Sequence, residues 1–404
     1  MKVLIADKFD ASSVESLRAC GCQVEHDAAL QGDALREAIA RTNCRVLIVR
    51  GTKVTAEMLE AADALSVVVR AGAGVNSIDV AAASHRSILV ANCPGKNAVA
   101  VAELTFGLIL ALDRRIVENV TDLRRDVWNK ADYAKARGLK GRTLGIVGMG
   151  QIGQAVATRA LAFEMDVVAW SRSLTEDAAK TAGIQRCRSP AEVASRCDVL
   201  TVHLAATPET EGIISAEVLG RLKQGAYVIN TARADVMDFD ALAALTVERG
   251  IRVGLDVYPH EPAGGQGEFA DGIVKAGGVV YGTHHIGAST DQAQSAIAVE
   301  TIAIVKDYLR TGTVRNCVNL CAKTPATYLV VVRHRNRPGV LAHTLNAISL
   351  AGVNVSEMEN IICEGAVSAC AQIRLDGPLD ADVLRNIERG NEHIFAVTQA
   401  RIGA

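Results

Sequence analysis

At 404 residues the chain is too long for one ordinary core, so two or three domains are expected. Hydrophobic residues make up 49% and charged residues 22%, a globular composition that excludes a disordered chain. A formal net charge of −2 gives no pull toward nucleic acid or an anionic membrane, and 3% aromatics are too few for base-stacking platforms.

The N-terminal "MKVLIADKFD" meets charged residues after a very short apolar run, so it reads as neither signal peptide nor membrane anchor. No later apolar run reaches about 18 residues without charge. Ten scattered cysteines lack paired zinc-type spacing. They read as reduced thiols in a cytoplasmic protein, with no metal expected.

In chain order, "KVLIA" (2–6), "VLIV" (46–49), "SVVV" (66–69) and "ILVA" (88–91) read as strands of a first parallel sheet. Residues 97–120 read as one long apolar helix at a domain seam. Six further strands follow, at 143–148, 166–170, 199–203, 226–230, 252–256 and 278–283, with helices between them. That alternation makes a second doubly wound α/β domain. A last helix spans 291–312 and ends at Gly312. After a linker (319–327) comes "YLVVVR", a helix from Pro338, two strands, a polar helix and "FAVTQARI". The order βαββαβ over about 75 residues predicts a ferredoxin-like module. The fold class is therefore α/β, with two doubly wound parallel-sheet (Rossmann/flavodoxin-like) domains and a ferredoxin-like C-terminal one. Residues 1–97 with 289–318 form the first domain, 98–288 the second and 326–404 the third.

"LGIVGMGQIG" places Gly148, Gly150 and Gly153 in GxGxxG spacing between a strand and a helix, the context of a dinucleotide site. Gly148 permits a tight turn, Gly150 lets the backbone approach a pyrophosphate, and Gly153 packs helix on strand. An acid is expected about 20 residues on, at the end of the next strand, to bind the ribose. Ser171 and Arg172 stand there instead. Serine does not repel a 2′-phosphate and arginine can bind one, so NAD is expected and NADP stays open.

Arg233, Glu261 and His285 each follow a different predicted strand. In a parallel sheet the carboxyl ends share one edge, so all three face the dinucleotide crevice. Histidine suits proton transfer from a secondary alcohol, and a carboxylate on its other nitrogen fixes the tautomer. Arginine offers a planar fork to a substrate carboxylate.

These residues, with "RAGAGVNSID" (70–79), "GKNAVAVAELTFGLIL" (95–110), "NTAR" (230–233), "DVYPHEP" (256–262) and "HIGAST" (285–290) in order, resemble the D-2-hydroxyacid dehydrogenase family over residues 1–316. The resemblance implies that His285 is the acid/base and that His284 occupies a slot commonly held by proline. It implies substrate contacts from Arg70, the Gly74–Val75 backbone and Asn97. It also implies cofactor contacts from Ala73, Gln151, Ile152, Leu204, Thr231, Asp256 and Ala288.

The C-terminal "VVVRHRNRPGVLAHTLNAISLAGVNVSEM" resembles an ACT domain, which implies an amino-acid effector, with His334, Asn336 and Asn354 at its binding positions. An ACT domain joined to this family implies D-3-phosphoglycerate as substrate, L-serine as effector, and a homodimer or homotetramer. "VWNK" (127–130) adds Lys130 to Arg50 and Arg70 as phosphate candidates. Two alternatives stay open: a reductase of glyoxylate, hydroxypyruvate or another oxoacid, and a non-catalytic amino-acid sensor.

Overall fold

The apolar runs of the first hundred residues become β1 (Lys2–Ile5), β3 (Val46–Val49), β4 (Val67–Arg70) and β5 (Leu89–Asn92) in a computed structural model that describes residues 1–262, 266–321 and 323–402. A fifth strand, β2 (Gln23–His26), pairs at the edge. All pairs are parallel, in the flavodoxin-like order β2-β1-β3-β4-β5. Every residue of β3 is buried, as a central strand covered on both faces requires.

The long apolar helix is interrupted. It runs from Ala98 to Arg114, Arg115 turns left-handed at φ 51°, and a second helix spans Ile116–Leu123. The single helix expected over 97–120 is thereby corrected. An arginine in that conformation carries no glycine or proline signal to announce the break.

The second sheet contains β6 (Thr143–Val147), β7 (Asp166–Trp170), β8 (Gln185–Arg186), β9 (Val199–Val202), β10 (Tyr227–Asn230), β11 (Arg252–Leu255) and β12 (Val280–Gly282). Their order is β12-β11-β10-β9-β6-β7-β8, all parallel, one strand more than the six expected. The extra strand β8 has only two residues. β7 and β9 flank β6 on opposite sides, so the order reverses there and a crevice opens beyond its carboxyl end. The helix Asp291–Thr311 then returns to the first sheet, packing Ile297, Ile302, Ile304 and Val305 with Ile5, Val67 and Val69. It ends at Gly312, which is left-handed at φ 73°. All of this belongs to one compact unit, Met1–Asn319.

The second unit, Leu320–Ala404, is antiparallel. Its strands β13 (Tyr328–Arg335), β14 (Val355–Ile362), β15 (Ser368–Leu375) and β16 (Ile394–Arg401) lie in the order β14-β15-β13-β16, with helices at Val340–Leu350 and Ala381–Arg389. This is the ferredoxin-like βαββαβ arrangement. Val330, Val332, Ala371 and Ile373 face the helices and form its core with Ile348 and Ile387. The first helix begins at Val340, behind Gly339 at φ 89°, and not at Pro338 as expected. Among the described residues no helix is long and apolar enough to cross a membrane.

Candidate active site

The glycine turn follows β6. Gly148 is left-handed at φ 105°, and a β-carbon there would stand 2.4 Å from the His203 carbonyl oxygen. One at Gly153 would stand 2.0 Å from the Gly148 oxygen, so the helix Gln151–Ala162 seats against the turn only without a side chain. At Gly150 nothing lies within 4 Å of a β-carbon's position. That open space, in front of a helix N-terminus, is where a pyrophosphate can approach the backbone. The cradle therefore fits a dinucleotide. Ile152 and Leu204 pack partly buried beside it. Ser171 is half-buried and Arg172 exposed beyond β7. The Arg172 charge helps lower the pKa of Glu209, after the Thr207 hydrogen bond and the residue's own backbone.

β10, β11 and β12 are neighbours, so the segments carrying Arg233, Glu261 and His285 emerge side by side. Glu261 is held at both oxygens: Oε1 accepts the Tyr258 N–H at 2.9 Å, and Oε2 lies 2.6 Å from His285 Nδ1. Asp256, buried at the end of β11, fixes the histidine segment from beneath. Its Oδ1 accepts the Thr283 hydroxyl (2.6 Å) and the Ile286 N–H (2.8 Å), while Oδ2 accepts the Gly287 N–H (2.8 Å). His285 itself is left-handed at φ 51°. The neighbouring His284 is exposed. Ala288 accepts the Gln294 side-chain N–H at 2.7 Å, which closes the same turn.

Arg233 reaches the first sheet. Its Nη2 would lie 2.5 Å from a β-carbon on Gly74, so the guanidinium lies directly against the loop after β4. Arg70 folds over Gly72, and its buried Nε has no hydrogen-bond partner. Burial, then the nearby Arg233 and Arg50 charges, hold the Arg70 guanidinium below its usual pKa, while Cys93 and Asp7 oppose the shift. Three guanidinium groups thus share one end of the cleft. The Ala73 carbonyl is pinned by the Asn92 side chain at 2.5 Å, and Val75 packs partly buried on the core. Asn97 Oδ1 is buried without a partner. The Gln151 side chain fills the space over Gly95, 1.3 Å from where a β-carbon would stand, and so joins the two sides of the cleft. Lys130 is exposed on the short helix Lys130–Tyr133, and no described contact ties it to the arginines.

Two features escaped the sequence reading. Thr231 and Thr105 share a hydroxyl contact at 3.0 Å, joining the end of β10 to the helix Ala98–Arg114. His203 is buried after β9 with Nε2 2.9 Å from the Thr201 hydroxyl, its Nδ1 lacks a partner, and burial pushes its pKa down to about 3. Only its place at the end of an apolar strand could have flagged it.

Residues 106–304 match the family described as "D-isomer specific 2-hydroxyacid dehydrogenase, NAD binding domain". The chain is 34% identical over 364 residues to D-3-phosphoglycerate dehydrogenase of Haemophilus influenzae, covering 88% of this chain and 87% of that one. It belongs to the D-isomer specific 2-hydroxyacid dehydrogenase family. Another family member, D-3-phosphoglycerate dehydrogenase of Methanocaldococcus jannaschii, is 36% identical over 322 residues, or 79% of this chain. This chain spans only 60% of that relative's length. A family structure from Entamoeba histolytica, 3-phosphoglycerate dehydrogenase with NAD+ bound, superposes with a TM-score of 0.66 at 26% identity, covering 79% of this chain and 99% of its own.

In the ferredoxin-like unit, His334 and Asn336 have different surroundings. His334 is buried, with Nδ1 2.8 Å from the Arg335 carbonyl and Nε2 3.1 Å from the Asn360 amide. Asn336 lies past the end of β13 and donates to the Ala366 carbonyl at 3.1 Å. The pairing of β13 with β16 shifts by one residue between Arg333 and His334, while its pairing with β15 stays in register to Arg335. Asn354 is exposed beside the start of β14.

Proposed function

We propose that the protein oxidises a D-2-hydroxy acid that bears a second anionic group, with D-3-phosphoglycerate the best fit and NAD(P) the hydride acceptor. The observation that carries this is the group Arg50, Arg70 and Arg233, three cations of which Arg70 is partly buried with its Nε unpaired. A ligand with a carboxylate and a phosphate supplies the missing negative charge. The names of the relatives support the same choice.

Arg233 clamps the substrate carboxylate, with the Gly74–Val75 backbone and Asn97 beside it. His285 takes the hydroxyl proton at Nε2 while Glu261 holds Nδ1, fixing the tautomer and stabilising the imidazolium. When bound, the nicotinamide supplies the hydride acceptor. Gly148–Gly153, Ala73, Leu204, Thr231, Asp256 and Ala288 line its site. Residues 1–97 with 289–318 hold the substrate and 98–288 the cofactor. Initial rates with 3-phosphoglycerate, glycerate and 2-oxoglutarate, each with NAD and NADP or their reduced forms, test this reading. A marked preference for 3-phosphoglycerate is expected. Equal or better turnover of acids lacking phosphate would replace it with an oxoacid reductase.

For the C-terminal unit we infer an ACT domain that binds L-serine through Asn336 and Asn354, whose amides offer donors and acceptors to a zwitterion. His334, committed inside the unit, supports the site from behind. Calorimetry with L-serine on wild type and Asn336→Ala should show heat in the first and its loss in the second. No wild-type heat would exclude serine. The exposed apolar side chains Ile116, Val117, Val120 and Leu123 support self-association, which sedimentation would reveal.

A further inference from the structure

The loop bearing Arg50 has its own anchor. β1 and β3 are adjacent, and two residues beyond β1 stands Asp7. Its Oδ2 accepts three consecutive backbone N–H groups from the turn after β3: Arg50 at 2.6 Å, Gly51 at 3.1 Å and Thr52 at 3.1 Å. The Thr52 hydroxyl adds a bond to the Ala6 carbonyl at 3.2 Å, and the His26 ring holds the Asp7 carbonyl at 2.9 Å. Successive N–H groups converging on one oxygen form an anion-binding concavity, here filled by a side chain of the same chain. The Asp7 charge is also felt by Arg70, where it opposes the effect of Arg50 and Arg233.

We propose that Asp7 is a positioning residue for the substrate's second anionic group: it fixes the Arg50–Gly51–Thr52 turn so that Arg50 faces the cleft. This rests on the reading of the substrate as a doubly anionic hydroxy acid. Asp7 does not touch the reacting carbon. Its loss therefore weakens binding of the distal anion and leaves proton and hydride transfer intact.

The test compares wild type, Asp7→Ala and Asp7→Asn with 3-phosphoglycerate and with a short acid such as D-glycerate. In Asp7→Ala, KM for 3-phosphoglycerate should rise about tenfold or more, with kcat within about twofold and KM for D-glycerate unchanged. Asp7→Asn keeps an acceptor oxygen for the turn but loses the charge, so it should show the same selective rise in KM, smaller than in Asp7→Ala. Equal KM changes for both substrates, or a collapse of kcat, would overturn the proposal. Melting curves identify an Asp7→Ala protein that has not folded, and Asp7→Asn then decides: a selective rise in KM for 3-phosphoglycerate supports the proposal, and wild-type constants sink it. If wild type shows no preference for the phosphorylated acid, the substrate reading fails by itself. Competition by inorganic phosphate then decides the role of Asp7, weaker in Asp7→Ala if it positions Arg50 and unchanged if it does not.

Discussion

Glu261 and His285 are 24 residues apart in sequence, and their side chains meet at 2.6 Å between Oε2 and Nδ1. The contact depends on two adjacent strands, β11 and β12, and on the turn that Asp256 holds beneath His285. His284, one residue earlier, is exposed and takes no part in it. His285→Ala should therefore lower kcat by about 10²–10⁴ with nucleotide affinity retained, the usual worth of general acid–base catalysis. His284→Ala should change kcat little. Turnover and a nucleotide titration on both variants check this, and greater damage from His284→Ala reverses the assignment.

Arg233→Lys tests the clamp. A point charge cannot reproduce a planar fork lying against Gly74, so KM should rise strongly and kcat should fall. Wild-type steady-state kinetics in this variant would remove Arg233 from the site.

If Ser171 borders the adenosine ribose, as proposed from its place after β7, it sets cofactor choice. Ser171→Asp places a negative charge where a 2′-phosphate would lie, so the NAD to NADP ratio of kcat/KM should move toward NAD. A native protein that binds NAD well and shows no measurable NADP binding would contradict the open pocket inferred from Ser171.

His203 links acidity to stability. Burial pushes its pKa from 6.5 to about 3, so the unfolded chain takes up the proton first as pH falls. The contribution is complete above about pH 6.5 and is lost on the way down toward pH 3, at roughly 1.4 kcal/mol per pH unit. Urea midpoints near pH 7 and near pH 5 should differ in wild type and differ less in His203→Gln, a comparison made above most carboxylate titration. Equal slopes in the two proteins would place the acid sensitivity elsewhere.

How much could be read in advance followed from hydrophobic contrast. Strands β3, β4, β9 and β10 are apolar runs, and each appears within a residue of its expected place. β2 reads "QVEH" and β8 is the pair Gln185–Arg186, and edge strands with polar sequences lack the alternation that marks a buried face. The break at Arg115 arises from tertiary packing, which no local pattern encodes. The arrangement of Arg233, Glu261 and His285 was legible because parallel topology gathers strand ends. Asp7 was not, since an acid in a loop looks like any solvated charge until its three amide partners are seen.

The proposed site is split between two sheets, with Arg50 and Arg70 on one and Arg233, Glu261 and His285 on the other. Neither sheet owns a complete site. The helix Ala98–Arg114 leads from the last strand of the first sheet onto the second, where a β-carbon on Gly254 would stand 2.9 Å from Ile229, 3.1 Å from Leu108 and 3.4 Å from Leu112. A misplacement of about 1 Å can cost a hundredfold in rate. Turnover therefore reports on how this seam is seated more sharply than any spectroscopic measure of folded content. A substitution at Leu108, Leu112 or Gly254 would first be noticed as a poor enzyme and only later as an unstable protein.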